Sequence, residues 1–172
     1  MANAPKSPAG RTGRAGLWLC ALLVTGLVSL GSPGLRFAVA QSMTFDTWLP
    51  LAEAGDAEAQ CQVGVAYLNG TQVAQDFAKG LAWLVKSSDT GYGYARFVLA
   101  DVYSRGYANV VVNDEKAYYY ASLAVASGTL PEKFRDRATK IRDATAKHLS
   151  TAQLARLQAM TAQAPRGARS GF

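Results

Sequence analysis

Between Asp56 and Asn69 the apolar residues Ala59, Val63 and Tyr67 recur every fourth position. That spacing lines one stripe along one face of an α-helix. Gly64 lies about 100° around the same helix, where a missing side chain lets a second helix approach closely. Gly70 follows, suited to the left-handed residue that closes a helix. Thr71–Gln75 reads as a connector, and Asp76 as the N-cap of a second helix over Phe77–Ser88. Leu81, Trp83, Leu84 and Val85 supply its apolar body, and Gly91 closes the unit.

The pattern then repeats. At an offset of 36 residues Gly55 meets Gly91, Ala59 meets Ala95, Val63 meets Leu99, Gly64 meets Ala100, Tyr67 meets Tyr103 and Gly70 meets Gly106. At 37, Asp76 meets Asn113, Lys79 meets Lys116, Gly80 meets Ala117, Trp83 meets Tyr120 and Gly91 meets Gly128. The extra residue falls between Gly106 and Asn113, where a loop absorbs it. A period of this size predicts stacked supersecondary units. The second unit is expected as helices Gly93–Arg105 and Asp114–Ser127, stopped by Gly106 and Gly128, with Ala95, Leu99, Val102 and Tyr103 inward. Val110-Val111-Val112 between them reads as an extended loop packed on the helix pair, too short for a sheet.

Two flanks complete the array. Phe45–Ala54 resembles a final helix without its partner, with Pro50 obscuring its start. Thr129-Leu130-Pro131-Glu132 reads as a capping box with proline in the first turn. Beyond it Leu130, Phe134, Ala138, Ile141 and Leu149 form one stripe, with Asp136–Lys140 and Asp143–Lys147 spaced for ion pairing along the helix. Ser150-Thr151-Ala152-Gln153 opens a last helix with Leu154, Leu157 and Met160 inward. Residues 164–172 read as a flexible tail. The predicted architecture is all-α: a right-handed solenoid of about two helix pairs, a preceding half-repeat and a C-terminal helical cap over the exposed end.

The N-terminus is of another kind. Met1–Gly16 is basic, and Leu17–Leu30 is an uncharged apolar run of 14 residues. A membrane-spanning helix needs roughly 20. Gly31, Pro33 and Gly34 break the run, and Ala38-Val39-Ala40 before Gln41 offers a cleavage site. Residues 1–40 are therefore expected as an export signal cleaved after Ala40, leaving a periplasmic or secreted chain without a stable membrane span. Cys20 follows Leu19, not the small residue that lipid attachment requires, so Cys61 is the one thiol of the mature chain.

Charge changes its meaning when divided the same way. The formal net charge is +6, but residues 1–40 hold Lys6, Arg11, Arg14 and Arg36 and no acid. Residues 41–172 then carry 14 basic residues against 12 acidic ones, so no broad footprint for nucleic acid remains. The apolar fraction of 49% with 17% charged is that of a globular chain, not a disordered one.

The run Gly55-Asp56-Ala57-Glu58-Ala59-Gln60, then Val63-Gly64, Tyr67, Gly70, Val73, Asp76, Lys79, Trp83, Lys86 and Gly91 resembles a Sel1-like repeat. The second unit keeps Ala95, Leu99, Tyr103, Gly106, Lys116, Ala117, Tyr120 and Gly128, with Ala100 for the glycine and Tyr120 for the tryptophan. The resemblance covers roughly residues 50–128. It implies a solenoid related to tetratricopeptide repeats with a longer unit, and an adaptor in place of an enzyme. Some secreted cysteine-rich relatives bind or hydrolyse β-lactams. Their disulfides need paired cysteines that this sequence lacks.

Candidate chemistry is sparse. His148 is the only histidine, placed at a helix end where a cation meets the negative pole. One histidine and one mature cysteine at unrelated positions make no metal cluster. Asp114-Glu115 suits the start of a helix dipole, and no serine has an adjacent base. No cofactor, metal or catalytic residue is expected. What remains is a binding surface on the first helices of each unit: Leu68, Asn69, Tyr94, Phe97, Asp101 and Arg105 are the candidate contacts for a protein or peptide. The rival expectation is a small cell-envelope hydrolase acting on cell-wall peptides or β-lactams. Two units sit near the lower limit for an independent solenoid, which leaves room for self-association.

Overall fold

The computed structural model describes residues 44–107 and 110–164, all within one compact unit, Met43–Phe172. The expected export signal, its cleavage site and the tail after Ala164 lie outside the described residues. Among the described residues seven helices follow in order: α1 Phe45–Glu53, α2 Ala57–Asn69, α3 Phe77–Asp89, α4 Gly93–Arg105, α5 Asp114–Ala126, α6 Glu132–Ala146 and α7 Thr151–Gln163. The β-type pairing among the described residues is an isolated bridge between Tyr107 and Val110.

Each start has a local cause. The Asp56, Asp76 and Asn113 side chains accept hydrogen bonds from the backbone N–H of Ala59, Lys79 and Lys116 at 2.7, 2.9 and 2.9 Å. Each cap satisfies an orphan donor and contributes about 1 kcal/mol. Ser150 and Gln153 form a reciprocal capping box at the start of α7. Gly70 closes α2 at φ 67°, ψ 30°, the left-handed conformation. Gly106 also has positive φ but ψ 159°, because the chain leaves at once into the Tyr107–Val110 bridge.

Helices pair through small residues. A Cβ added to Gly64 would meet Leu84 Cγ at 2.8 Å and the Gly80 carbonyl oxygen at 3.0 Å. One added to Gly80 would meet Leu68 Cδ2 at 2.8 Å and the Gly64 carbonyl oxygen at 3.0 Å. The two glycines thus face each other where α2 crosses α3. In the second unit Ala100 and Ala117 hold the equivalent places, both fully buried. Around them Cys61, Leu68, Leu84, Leu99, Val102 and Tyr103 form the central core. Each large aliphatic side chain buried there stabilises by about 1.5–3 kcal/mol relative to exposure.

Successive units are joined by a recurring polar tie. Gln60 Nε2 donates to the Ala52 carbonyl at 3.2 Å, Arg96 Nε to the Ser88 carbonyl at 3.2 Å, and Arg135 Nη1 to the Val125 carbonyl at 2.8 Å. Each time a long side chain near the start of a first helix reaches back to the last turn of the preceding helix. The carbonyls there lack partners within their own helix, and a guanidinium also complements the negative pole. The third tie makes α6 the first helix of a degenerate third unit, more than a cover.

Several sequence expectations are corrected. Helices α3 and α5 end at Asp89 and Ala126, one residue later and one earlier than expected. Gly128 does not stop α5 with a positive φ. The helix ends when Ser127 turns extended at ψ 133°. Its buried Oγ donates to the Gly91 carbonyl of the preceding unit at 3.2 Å. The Thr129–Glu132 capping box does not form, because Thr129 Oγ1 accepts from the Gly93 N–H at 2.7 Å and Glu132 pairs with Arg135. Val110 packs against the core, but Val111 is 82% exposed and Val112 half exposed. Neither Asp136 nor Asp143 reaches its expected lysine among the described ion pairs; Asp143 pairs with Arg142 at 2.8 Å. Met160 is exposed, because α7 lies against α5 along Leu157 and not along its whole stripe.

Candidate functional site

Helices α2, α4 and α6, the first helices of successive units, line one groove of about 270 Å³. All six expected contact residues, Leu68, Asn69, Tyr94, Phe97, Asp101 and Arg105, lie along it. They do not play one role. Leu68 and Phe97 are buried and form its floor. Asn69 and Arg105 are exposed at its rim, with Tyr94 and Asp101 between.

The floor continues onto α6, which sequence reasoning did not connect to the site. The Phe134 ring lies 5.0 Å from Phe97 and 4.9 Å from Tyr94, and Tyr94 lies 6.0 Å from Phe97. Three rings at these distances form one rigid apolar platform. Burial pushes the Tyr94 phenol above its ordinary value, so its hydroxyl stays protonated at neutral pH.

Asp101 sits at the centre. Its carboxylate accepts from Arg105, one turn on along α4, and from Arg137 Nη2 of α6 at 2.7 Å. The Asp101 side chain is 17% exposed, against 62% for Arg105 and 52% for Arg137. The Arg137 guanidinium also lies 5.6 Å from the Phe97 ring centroid, a cation–π contact. One acid therefore holds two arginines at the groove wall. Arg137 carried no sequence signal, since its partner is 36 residues away on another helix.

A second hollow of about 260 Å³ lies between α1 and α2, lined by Phe45, Trp48 and Gln72 among others. None of its lining residues is charged, so it has no handle comparable to the arginine pair.

The remaining candidates are structural. Cys61 is buried and free, and burial pushes its thiol up to about 12, with Glu58 adding to the effect. A thiol in that state is a poor nucleophile at neutral pH. His148 Nδ1 lies 3.1 Å from Asp114 Oδ2, tying the end of α6 to the start of α5. Glu115 accepts from Gln153 Nε2 at 2.6 Å and from Arg156 Nη2 at 2.5 Å, which fastens α7 to α5. The acidic pair thus binds helices together besides facing a dipole. Tyr118 is core, and Tyr120 stacks on Tyr103 at 6.0 Å with the rings 8° from parallel. No group of acids, histidines and cysteines among the described residues could hold a metal ion, and none of their helices is long and apolar enough to cross a membrane.

Fold and groove together define the class: an all-α repeat solenoid with a channel along its first helices. The Sel1 repeat family model matches residues 57–92 and 93–129, so these residues form two Sel1 repeats. Proteins of this kind are generally interaction scaffolds without enzymatic activity. Among solved structures, it is similar to the protective antigen c5321 of uropathogenic Escherichia coli, which displays an SLR fold, with 24% identity and a TM-score of 0.60. That match covers 69% of this chain and 24% of the antigen. A Sel1 repeat protein from Oxalobacter formigenes matches at 21% identity and a TM-score of 0.43, over 65% of this chain and 95% of that one. A search of curated protein sequences found no match.

Proposed function

We propose that this protein is an exported Sel1 repeat adaptor that binds a protein or peptide partner through the groove of α2, α4 and α6. The observation that carries this reading is the groove itself: an aromatic platform flanked by two exposed arginines, both paired with the Asp101 carboxylate. Aromatic residues and arginine dominate interface energetics. The repeat family supports the interaction role. The basic and apolar N-terminal segment ending at Ala40 supports export.

Affinity capture from a cell-envelope extract tests the interaction. A specific partner should be retained by the wild-type chain and lost with Arg105→Ala or Asn69→Trp at unchanged helicity. Equal capture by all three proteins would remove the groove from the account. N-terminal sequencing of the envelope fraction tests export, with Gln41 as the expected first residue.

A further inference from the structure

We infer that the groove takes an acidic peptide segment carrying an apolar or aromatic side chain next to its carboxylates. This rests on the adaptor reading and adds the chemistry of the partner.

The argument is one of charge and shape. Of the residues lining the groove, Arg105, Arg137 and Asp101 are ionisable at neutral pH as cations or anions, two positive and one negative. Lys133 adds a further cation, its Nζ 5.0 Å from the Phe134 ring. The wall is therefore net positive, whereas residues 41–172 as a whole are nearly neutral. Each arginine directs Nη2 at Asp101, and a guanidinium has five N–H donors, so donors remain for a second carboxylate. Asp101 fixes where those donors stand. Beside them lies the Tyr94–Phe97–Phe134 platform, which a side chain of the partner can cover. A carboxylate at the arginines and an apolar group on the rings would fill both halves of one hollow. A basic segment would meet like charge, which is costly at close range.

Selection of a random-peptide phage library on the purified protein tests this, followed by fluorescence anisotropy with a synthetic copy of the enriched sequence. The expected result is enrichment of acidic residues beside an apolar one. Arg137→Glu and Arg105→Glu should each weaken binding about tenfold or more, and exchanging the peptide's acids for lysines should restore part of the loss. Enriched peptides that are neutral or basic, yet lose binding with Asn69→Trp, would overturn the charge inference and leave the groove reading standing. Peptides indifferent to every groove variant, or no enrichment at all, would overturn both. Sedimentation in which the protein self-associates and Arg137→Glu disperses it would make a second copy the occupant, and would also overturn the inference.

Discussion

The two repeat units solve one packing problem with different residues. In the first, Gly64 faces Gly80 and the helices approach until backbone meets backbone. In the second, Ala100 and Ala117 replace them and remain fully buried. The aromatic landmarks differ as well. Tyr67 turns its edge to Phe45 of α1 at 5.4 Å, whereas Tyr103 stacks on Tyr120 of its own unit. Other features are kept: Lys79 lies over Tyr67 and Lys116 over Tyr103, and the N–H groups of Asp76 and Asn113 donate to the carbonyls of Tyr67 and Tyr103 at 3.0 and 2.9 Å. The comparison separates what the repeat requires from what each neighbour dictates. Caps and connectors are local to a unit and recur. The aromatic contacts depend on which helix stands beside them and vary.

The largest break comes from forcing a side chain into the glycine crossing. Gly64→Val should cost about 3 kcal/mol, since its Cβ would meet Leu84 and Gly80 with no room to shift. Ala100→Gly is the converse, making the second unit like the first. Urea unfolding followed by circular dichroism should give the first variant a much lower midpoint and the second a small drop. A larger loss in Ala100→Gly would reverse the account of the crossing.

The polar tie between units gives the next effect. Arg96 is 2% exposed, and burial lowers its pKa from the ordinary arginine value. Arg96→Ala leaves carbonyl groups in the seam without that donor and should cost about 2–3 kcal/mol. Arg96→Gln should cost less, because Gln60 makes the same tie one unit earlier. Equal losses in thermal unfolding would show that reach to the Ser88 carbonyl is not what matters.

Smaller again, Asp76→Ala and Asn113→Ala should each lower stability by about 1 kcal/mol, and by the same amount, if the two caps are true equivalents. Ala100→Gly belongs at this level too, at about 1 kcal/mol from helix propensity.

The pH dependence has no effect at neutrality. Cys61 is raised from 9.0 to about 12, and Tyr120 from 10.0 to about 12, both chiefly by burial. A raised folded pKa means that the unfolded chain loses its proton first. Stability is thus full below pH 9 and declines as pH rises toward about 12. Urea midpoints should fall between about pH 8 and about pH 10.5, and Cys61→Ala should flatten the early part of that fall. A midpoint that rises over this interval would contradict the burial of both groups.

Most of the fold was legible in the sequence because its signals are local. Asp76 as an N-cap, Gly70 as a left-handed stop, and Ala59, Val63, Ala95 and Leu99 as core need only neighbours along one helix. What stayed hidden depends on a partner far along the chain. Thr129 has the spacing of a capping residue, but the Gly93 N–H across the seam claims its oxygen. Arg96 looks like a surface residue until Ser88 and Leu123 carbonyls surround it. Arg137 and Phe134 join the groove only because α6 takes the place of a third first helix. The six first-helix candidates could be placed on one side by helical periodicity, while the division into floor and rim could not.

The central claim is that the α2–α4–α6 groove is the interaction surface. Photocrosslinking in cells tests it most directly, with a photoreactive amino acid placed at Asn69 on the groove rim or at exposed Ala82 on α3. A discrete adduct from position 69 and none from position 82 is the predicted result. An adduct from position 82 alone would contradict it.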